Sequence, residues 1–185
     1  MKVKMAVILL TLISAVILPA QVLENAWTLR SGKMNLGAFL TDYENDDLGI
    51  FVTGGYGLGS GTDLGLRLGL GYFETYFGAN VEWMLKGGKP AISLAAGAHV
   101  FNDLGLDGTL NLTFPASRQI NIYTGLDMDI NFVEIRDEKD TRVPVWLLLG
   151  TEIGLKSDVA LLIELEFDLS DDAWSIFSAG VNFGF

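Results

Sequence analysis

The chain contains no cysteine among its 185 residues and only one histidine. The lack of cysteine excludes a disulfide scaffold, thiolate metal sites, a cysteine nucleophile and a lipidated N-terminal cysteine. Basic residues are also scarce, since 12 Lys and Arg stand against 23 Asp and Glu and give a net charge of −11. Because nucleic-acid binding depends on Lys and Arg contacts to phosphates, the composition argues against a nucleic-acid partner.

Long apolar runs are missing beyond the first twenty residues, although 50% of the chain is hydrophobic. Two early lysines precede an uncharged, mostly apolar stretch that ends in Pro-Ala. This order is typical of a secretory signal peptide, and the stretch is shorter than the ~20 residues of a membrane-spanning helix. We therefore predict a signal peptide over residues 1–20, with cleavage after Ala20 or Ala26, and a single domain over residues 21–185.

Apolar residues alternate with small or polar residues along the rest of the chain. Between Leu64 and Tyr72 every second residue is large and apolar, and glycines or Arg67 fill the positions between them. A period of two indicates a β-strand with one apolar face. Ten such segments, each near the ~9–11 residues of a tilted membrane strand, cover residues 31–40, 48–58, 64–74, 76–86, 91–101, 106–114, 119–132, 143–155, 158–168 and 173–185.

This pattern predicts an all-β fold, an antiparallel up-and-down transmembrane β-barrel of about ten strands, with eight or twelve as alternatives. Short, turn-like connections alternate with longer ones, of which the longest is the charged segment from Val133 to Arg142. Bacterial barrels have short periplasmic turns and longer external loops, and an even number of strands places both termini on the periplasmic side.

The polarity of the two strand faces distinguishes a membrane barrel from a soluble, lipocalin-like barrel, whose apolar face points inward. The less apolar face is rich in glycine and carries almost no lysine, whereas soluble sheets usually place charged residues towards water. Small residues suit the inside of a narrow barrel. We therefore predict that the apolar face contacts lipid and that the interior is polar.

The last six residues, Gly180-Val-Asn-Phe-Gly-Phe185, resemble the terminal signal of Gram-negative outer-membrane proteins. That signal is a glycine, two residues and a hydrophobic-x-aromatic ending, so that Gly180, Phe183 and Phe185 are its assembly-signal positions here. The resemblance implies a porin-like barrel of the bacterial outer membrane, without a specific family. It also implies outer-membrane lipids as partners and recognition of the last strand by the barrel-assembly machinery.

Catalytic patterns around the one histidine are incomplete. The outer-membrane lipid A deacylase class has a serine two residues after its histidine, where this chain has Phe101 after His99. The omptin proteases have an aspartate two residues before theirs, where this chain has Gly97, although Asp127 and Asp129 slightly resemble the other omptin carboxylate pair. No Ser-His-Asp set or histidine metal site can be assembled. The sequence predicts no enzyme, no cofactor and no metal site.

The polar face carries more acids than bases. The candidate lumen charges are Arg67, Glu82, His99, Asp127, Asp129, Glu152, Glu164, Glu166 and Asp168, with Glu74 as a further acid. Inside a narrow barrel of low dielectric constant these carboxylates repel one another unless water, bound cations or protonation relieves the repulsion.

Three functions are consistent with these features. The first is a small structural or surface barrel with an acidic, mostly filled lumen, in which interior glycines leave room for a thin path of water. The alternative is a narrow, cation-preferring channel for small solutes, which the excess of acids favours. An enzyme in the lumen or at the rim is the least supported of the three.

One contact can be predicted from register. If strands 64–74 and 76–86 are joined by a two-residue turn at Glu74 and Thr75, opposed residue numbers add to 149 and Arg67 lies opposite Glu82. A register shifted by two is the alternative, in which Arg67 meets Asn80 or Met84 instead.

Overall fold

The computed structural model describes Leu23, Ala173 and residues 25–43, 47–71, 75–101, 103–135, 138–171 and 175–185, without the side chains of residues 47, 134, 135, 138 and 139. The predicted signal peptide over residues 1–20 and the acid Glu74 lie outside the described residues. Within the described part of the chain, no helix is long and apolar enough to cross a membrane.

The described residues form strands throughout, as the period of two predicts. The strands are β1 (Met34–Tyr43), β2 (Asp47–Gly59), β3 (Thr62–Gly71), β4 (Thr75–Lys86), β5 (Ala91–Phe101), β6 (Asp103–Pro115), β7 (Ile120–Ile135), β8 (Glu138–Arg142), β9 (Val145–Lys156), β10 (Val159–Asp168) and β11 (Ile176–Gly184). Each pairs with its neighbours in antiparallel fashion, and the β6–β7 and β1–β11 pairs close the ring.

Strands β8 and β9 are two pieces of one barrel strand. Both pair with β7 in the same register, since Arg142 lies opposite Asn131 and Val145 lies opposite Met128. Pro144 separates the pieces, because proline has no N–H to give to a sheet. The structure is therefore a closed antiparallel barrel of ten strands, which confirms the predicted fold. The predicted loop over residues 133–142 is wrong, because β7 and β8 continue the hairpin through it.

The barrel has an apolar outer surface and a polar interior. Along β3, Leu66 and Leu70 on the outer face are 54% and 53% exposed, whereas Asp63 and Arg67 on the inner face are 8% and 4% exposed. Burying a leucine side chain is worth about 1.5–3 kcal/mol, so a surface of this kind is unfavourable in water and suits lipid. The predicted assignment of the two faces is confirmed.

The predicted register between β3 and β4 is wrong. Opposed residues add to 145, so that Arg67 lies opposite Gly78 and Glu82 lies opposite Asp63. A two-residue turn at Glu74 and Thr75 is excluded because Thr75 already pairs with Leu70. The register differs by four from the predicted one, by two from the alternative with Asn80 opposite Arg67, and by six from the one with Met84.

Several interior glycines lie against aromatic rings. The buried aromatic side chains are Phe39, Tyr43, Phe51, Tyr76, Phe101, Tyr123 and Trp146. A Cβ atom on Gly78 would lie 2.6 Å from the hydroxyl of Tyr76, and one on Gly150 would collide with the ring of Tyr123. Glycine at these two positions therefore leaves space for a ring of the same strand, as at Gly78, or of the neighbouring strand, as at Gly150.

Candidate functional site

The segment before β1 enters the lumen at the end of the barrel that carries the termini, which we call the terminal end. Three of its backbone N–H groups donate to side chains of the barrel wall: Leu23 to Glu164 Oε1 at 2.9 Å, Ala26 to Thr113 Oγ1 at 2.8 Å and Leu29 to Asp63 Oδ2 at 2.7 Å. These acceptors lie on β10, β6 and β3, so the segment is held from different sides of the barrel.

A fourth hydrogen bond and an apolar contact complete this arrangement. Asn25 Nδ2 donates to Glu152 Oε2 at 2.7 Å, and Glu152 Oε1 accepts a second bond from Asn121 Nδ2 at 2.8 Å. Leu23 is 2% exposed and belongs to the apolar cluster inside the barrel that includes Phe39 and Leu162. We call residues 23–30 the N-terminal plug, described here for residue 23 and residues 25–30.

A cavity of about 580 Å³ lies beside the plug at the terminal end. Its lining includes the acids Asp63, Glu82 and Glu152 together with Asn35 and Asn121. Its lining also includes the bases Arg118 and Lys156 and apolar residues such as Trp27 and Leu162, so the cavity is mixed in character with more acids than bases.

The predicted lumen charges are mostly where the alternation puts them. The buried ones are Arg67, Glu82, His99, Asp127, Asp129, Glu164 and Glu166. Glu152 is half-buried under the plug. Asp168 is exposed at the end of β10, where it accepts a hydrogen bond of 2.6 Å from Ser175 Oγ. Its prediction as a lumen residue is therefore corrected.

Arg67 acts electrostatically both on its own hairpin, where Tyr76 of β4 feels its charge, and across the lumen. Its guanidinium attracts the carboxylates of Asp127 on β7 and Glu164 on β10, neither of which neighbours β3 in the sheet. Asp127 also accepts a hydrogen bond of 2.5 Å from Thr109 Oγ1. Glu82, the partner predicted from sequence, accepts a hydrogen bond from Ser93 Oγ.

A second polar cluster surrounds His99. Its Nδ1 contacts a carboxylate oxygen of Asp107, its Nε2 lies 3.0 Å from Asn131 Oδ1, and its ring stacks on Tyr76 with centroids 5.3 Å apart. Asp107 lies directly opposite Asp129 on the β6–β7 pair.

Two buried or half-buried acids of the lumen, Asp63 and Asp107, were not among the lumen charges predicted from the sequence. Asp107 shares the polar face of the predicted strand 106–114 with Thr109, Asn111 and Thr113, which is the signal that could have identified it. Asp63 falls in the connection between the predicted strands 48–58 and 64–74, but β3 begins one residue before it. The N-terminal plug has no counterpart in the sequence pattern, since residues 23–30 do not alternate.

The predicted assembly-signal residues lie on the last strand, which closes the barrel by pairing with β1 and β10. Phe183 and Phe185 are exposed on the outside, at 39% and 67%. A Cβ atom on Gly180 would collide with the backbone of β1. Glycine is therefore needed at position 180 for close packing within the barrel itself.

No protein-family model matches the chain, and no curated protein matches it. Solved structures do match. The COG4313 outer-membrane channel from Pseudomonas putida F1 superposes with a TM-score of 0.58 at 11% identity, covering 91% of this chain and 100% of that one. The NanC porin gives 0.56 at 8% identity, covering 81% and 98%. The KdgM porin gives 0.50 at 7% identity, covering 83% and 99%.

At these identities the likeness concerns the fold. Each of the three is a porin or an outer-membrane channel by its description, and each is covered almost completely by this chain. Together with the closed ring of antiparallel strands and the apolar outer surface, the comparison assigns this chain the fold of the porin-like β-barrels of the bacterial outer membrane.

Proposed function

We propose that this protein is an integral outer-membrane barrel with a closed lumen, which acts as a structural or surface element rather than as an open pore. The observation that carries the proposal is the N-terminal plug, whose backbone donates to Glu164, Thr113 and Asp63 inside the barrel. Hydrogen bonds to carboxylates are about twice as strong as those between neutral groups. A segment held in this way stays in the lumen.

The side chains of the wall support closure on their own. Tyr123 and Trp146 are both 0% exposed, and Phe51 packs on Tyr76 with ring centroids 5.5 Å apart. A barrel of this size has an interior that side chains can just fill. The proposed structural or surface role therefore requires no wide aqueous path through the lumen.

Export and membrane insertion belong to the same proposal. Cleavage of the signal peptide after Ala20 leaves the whole plug on the mature chain, whereas cleavage after Ala26 removes Leu23, Asn25 and Ala26, which make three of its four hydrogen bonds to the wall. We therefore propose cleavage after Ala20. The outer-membrane lipids then surround the apolar surface, and the barrel-assembly machinery recognises the strand that ends at Phe185.

A second candidate function is a cation-preferring passage that opens when the plug leaves. The cavity at the terminal end favours it, because the acids of its lining, Asp63, Glu82, Glu152 and Asp158, outnumber the bases Arg118 and Lys156. Rings of carboxylates make a pore selective for cations. The description of the structural neighbours as porins and channels is consistent with this alternative.

Planar-bilayer conductance separates the two candidates. The chain 21–185 and a truncated chain 33–185, which lacks the plug, are refolded and compared, with Arg30→Gln as a control because Arg30 is exposed within the plug. A closed barrel predicts no conductance steps from the chain 21–185 or from Arg30→Gln. Steps with a cation-preferring reversal potential in the truncated chain alone support a plugged passage. Equal, open steps in both chains contradict the proposed closure.

A further inference from the structure

The cluster around His99 brings three different metal-ligating side chains to one point. His99 on β5, Asp107 on β6 and Asp129 on β7 each offer one ligand atom, and these atoms all lie within 4.8 Å of one another. The three strands are consecutive neighbours in the barrel wall. An imidazole nitrogen with two carboxylate oxygens is a donor set that first-row divalent transition metals accept.

The surroundings hold the imidazole in the orientation that a ligand needs. Its Nδ1 faces Asp107, while its Nε2–H donates to Asn131 Oδ1 at 3.0 Å. A second-shell acceptor of this kind favours the tautomer with a lone pair on Nδ1, so that a metal would bind Nδ1 in exchange for its direct contact with Asp107. The ring lies over Gly105, where a Cβ atom would collide with it, and the carboxylate of Asp107 lies over Gly97, where a Cβ atom would be 2.8 Å away.

Tyr76 supplies a second, independent observation. It is 2% exposed, its ring stacks on His99, and its hydroxyl has no hydrogen-bond partner among the residues that the structure describes. Arg67, Asp107 and Asp129 all act on this hydroxyl electrostatically, which is consistent with its ring lying on His99 beside the cluster. A buried hydroxyl without a partner is costly, and a metal-bound water would provide one.

The two acids of the cluster are close enough to repel each other. Asp107 and Asp129 lie directly opposite each other, and like charges in that position destabilise a sheet. A divalent ion bound by both carboxylates would offset this repulsion.

We propose that His99, Asp107 and Asp129 form a binding site for a divalent first-row transition metal inside the barrel wall, with Zn²⁺ as the probe. Asn131 acts as a positioning residue through the imidazole. The site has a structural role, since it joins β5, β6 and β7, and it is independent of whether the lumen conducts.

The test is Zn²⁺ binding by the chain 21–185, refolded in detergent with the metal and dialysed. We expect one tightly held equivalent by elemental analysis, and a higher temperature of unfolding than for the protein refolded with a chelator. Asn131→Leu should weaken binding by about 10–100-fold, and His99→Gln and Asp129→Asn by more. Glu82→Gln removes a buried acid that is not part of the cluster, so this control should keep the affinity of the unchanged chain.

Failure of a variant to fold does not decide the outcome, because X-ray absorption of the unchanged protein needs no variant. It should show an imidazole and oxygen ligands at about 2.0–2.2 Å and no sulfur. The proposal would be overturned by any of three results. These are a set of Zn²⁺ ligands without imidazole, equal Zn²⁺ content in Glu82→Gln and His99→Gln, or no retained Zn²⁺ in the unchanged chain.

Discussion

Asp107 and Asp129 lie directly opposite each other on β6 and β7, with both carboxylates inside the barrel. The next inward-facing pair along the same strands is Thr109 and Asp127, which are joined by a hydrogen bond. Each of these acids thus faces a residue of the neighbouring strand. Arg67 acts electrostatically on Asp127 from β3, across the lumen. This relationship places acids of β6 and β7 in contact with polar neighbours inside the barrel.

A charged substitution on the outer surface should destabilise the barrel more near the middle of a strand than near its end. Leu66 lies in the middle of β3 and faces outward, so Leu66→Lys should destabilise the barrel by about 2–4 kcal/mol in lipid. Leu85→Lys is the matched control near the end of β4, where the expected cost is about 0–1 kcal/mol. Urea unfolding in vesicles measures both. Equal costs at the two positions would contradict the assignment of a lipid-facing belt.

The β3–β4 register can be tested with disulfides, since the chain has no native cysteine. Leu66 lies opposite Ala79, so Leu66→Cys with Ala79→Cys should form a disulfide readily under mild oxidation. Leu66→Cys with Trp83→Cys is the control, because that pair is opposed only in the register expected from a two-residue turn. Free-thiol mass spectrometry reads the result. Preferential crosslinking to position 83 would show that the described register is wrong.

The contrast between strand faces and register shows what sequence can predict here. Alternation is a local signal, and it assigns Arg67 and Glu82 to the inner face whichever residues oppose them. A shift of the pairing by four, from 149 to 145, leaves every face unchanged, so the alternation holds no information against it. The register depends instead on where β3 ends and β4 begins, at Gly71 and Thr75.

The contents of the lumen were less predictable for a similar reason. Glycines on the inner face are consistent either with space for water or with space for a ring from a neighbouring strand. Which of these occurs depends on cross-strand neighbours such as Gly150 and Tyr123, and therefore on register. The plug residues form backbone hydrogen bonds to distant side chains, and no residue type marks such bonds in the sequence.

Replacing a lumen glycine under a ring should be costly. Gly150→Ala puts a methyl group into the ring of Tyr123, and such overpacking typically costs about 1–3 kcal/mol. Gly54→Ala is the control, since the nearest atom to its added Cβ is 4.0 Å away. Both are measured by equilibrium unfolding. The extra cost at Gly150 should disappear when Tyr123 is also changed to alanine, and a cost that persists would point to another cause.

An engineered disulfide can test whether the N-terminal plug lies inside the barrel. The Ala26 N–H donates to Thr113 on the inner face of β6, so Ala26→Cys with Thr113→Cys should form a disulfide in the refolded chain 21–185. Ala26→Cys with Leu112→Cys is the control, because residue 112 is on the outer face of the same strand. If the plug lies inside the barrel, the first protein should form a disulfide, seen as the loss of both free thiols, and the second should form none. Equal crosslinking in the two proteins, or two free thiols in the first, would contradict it.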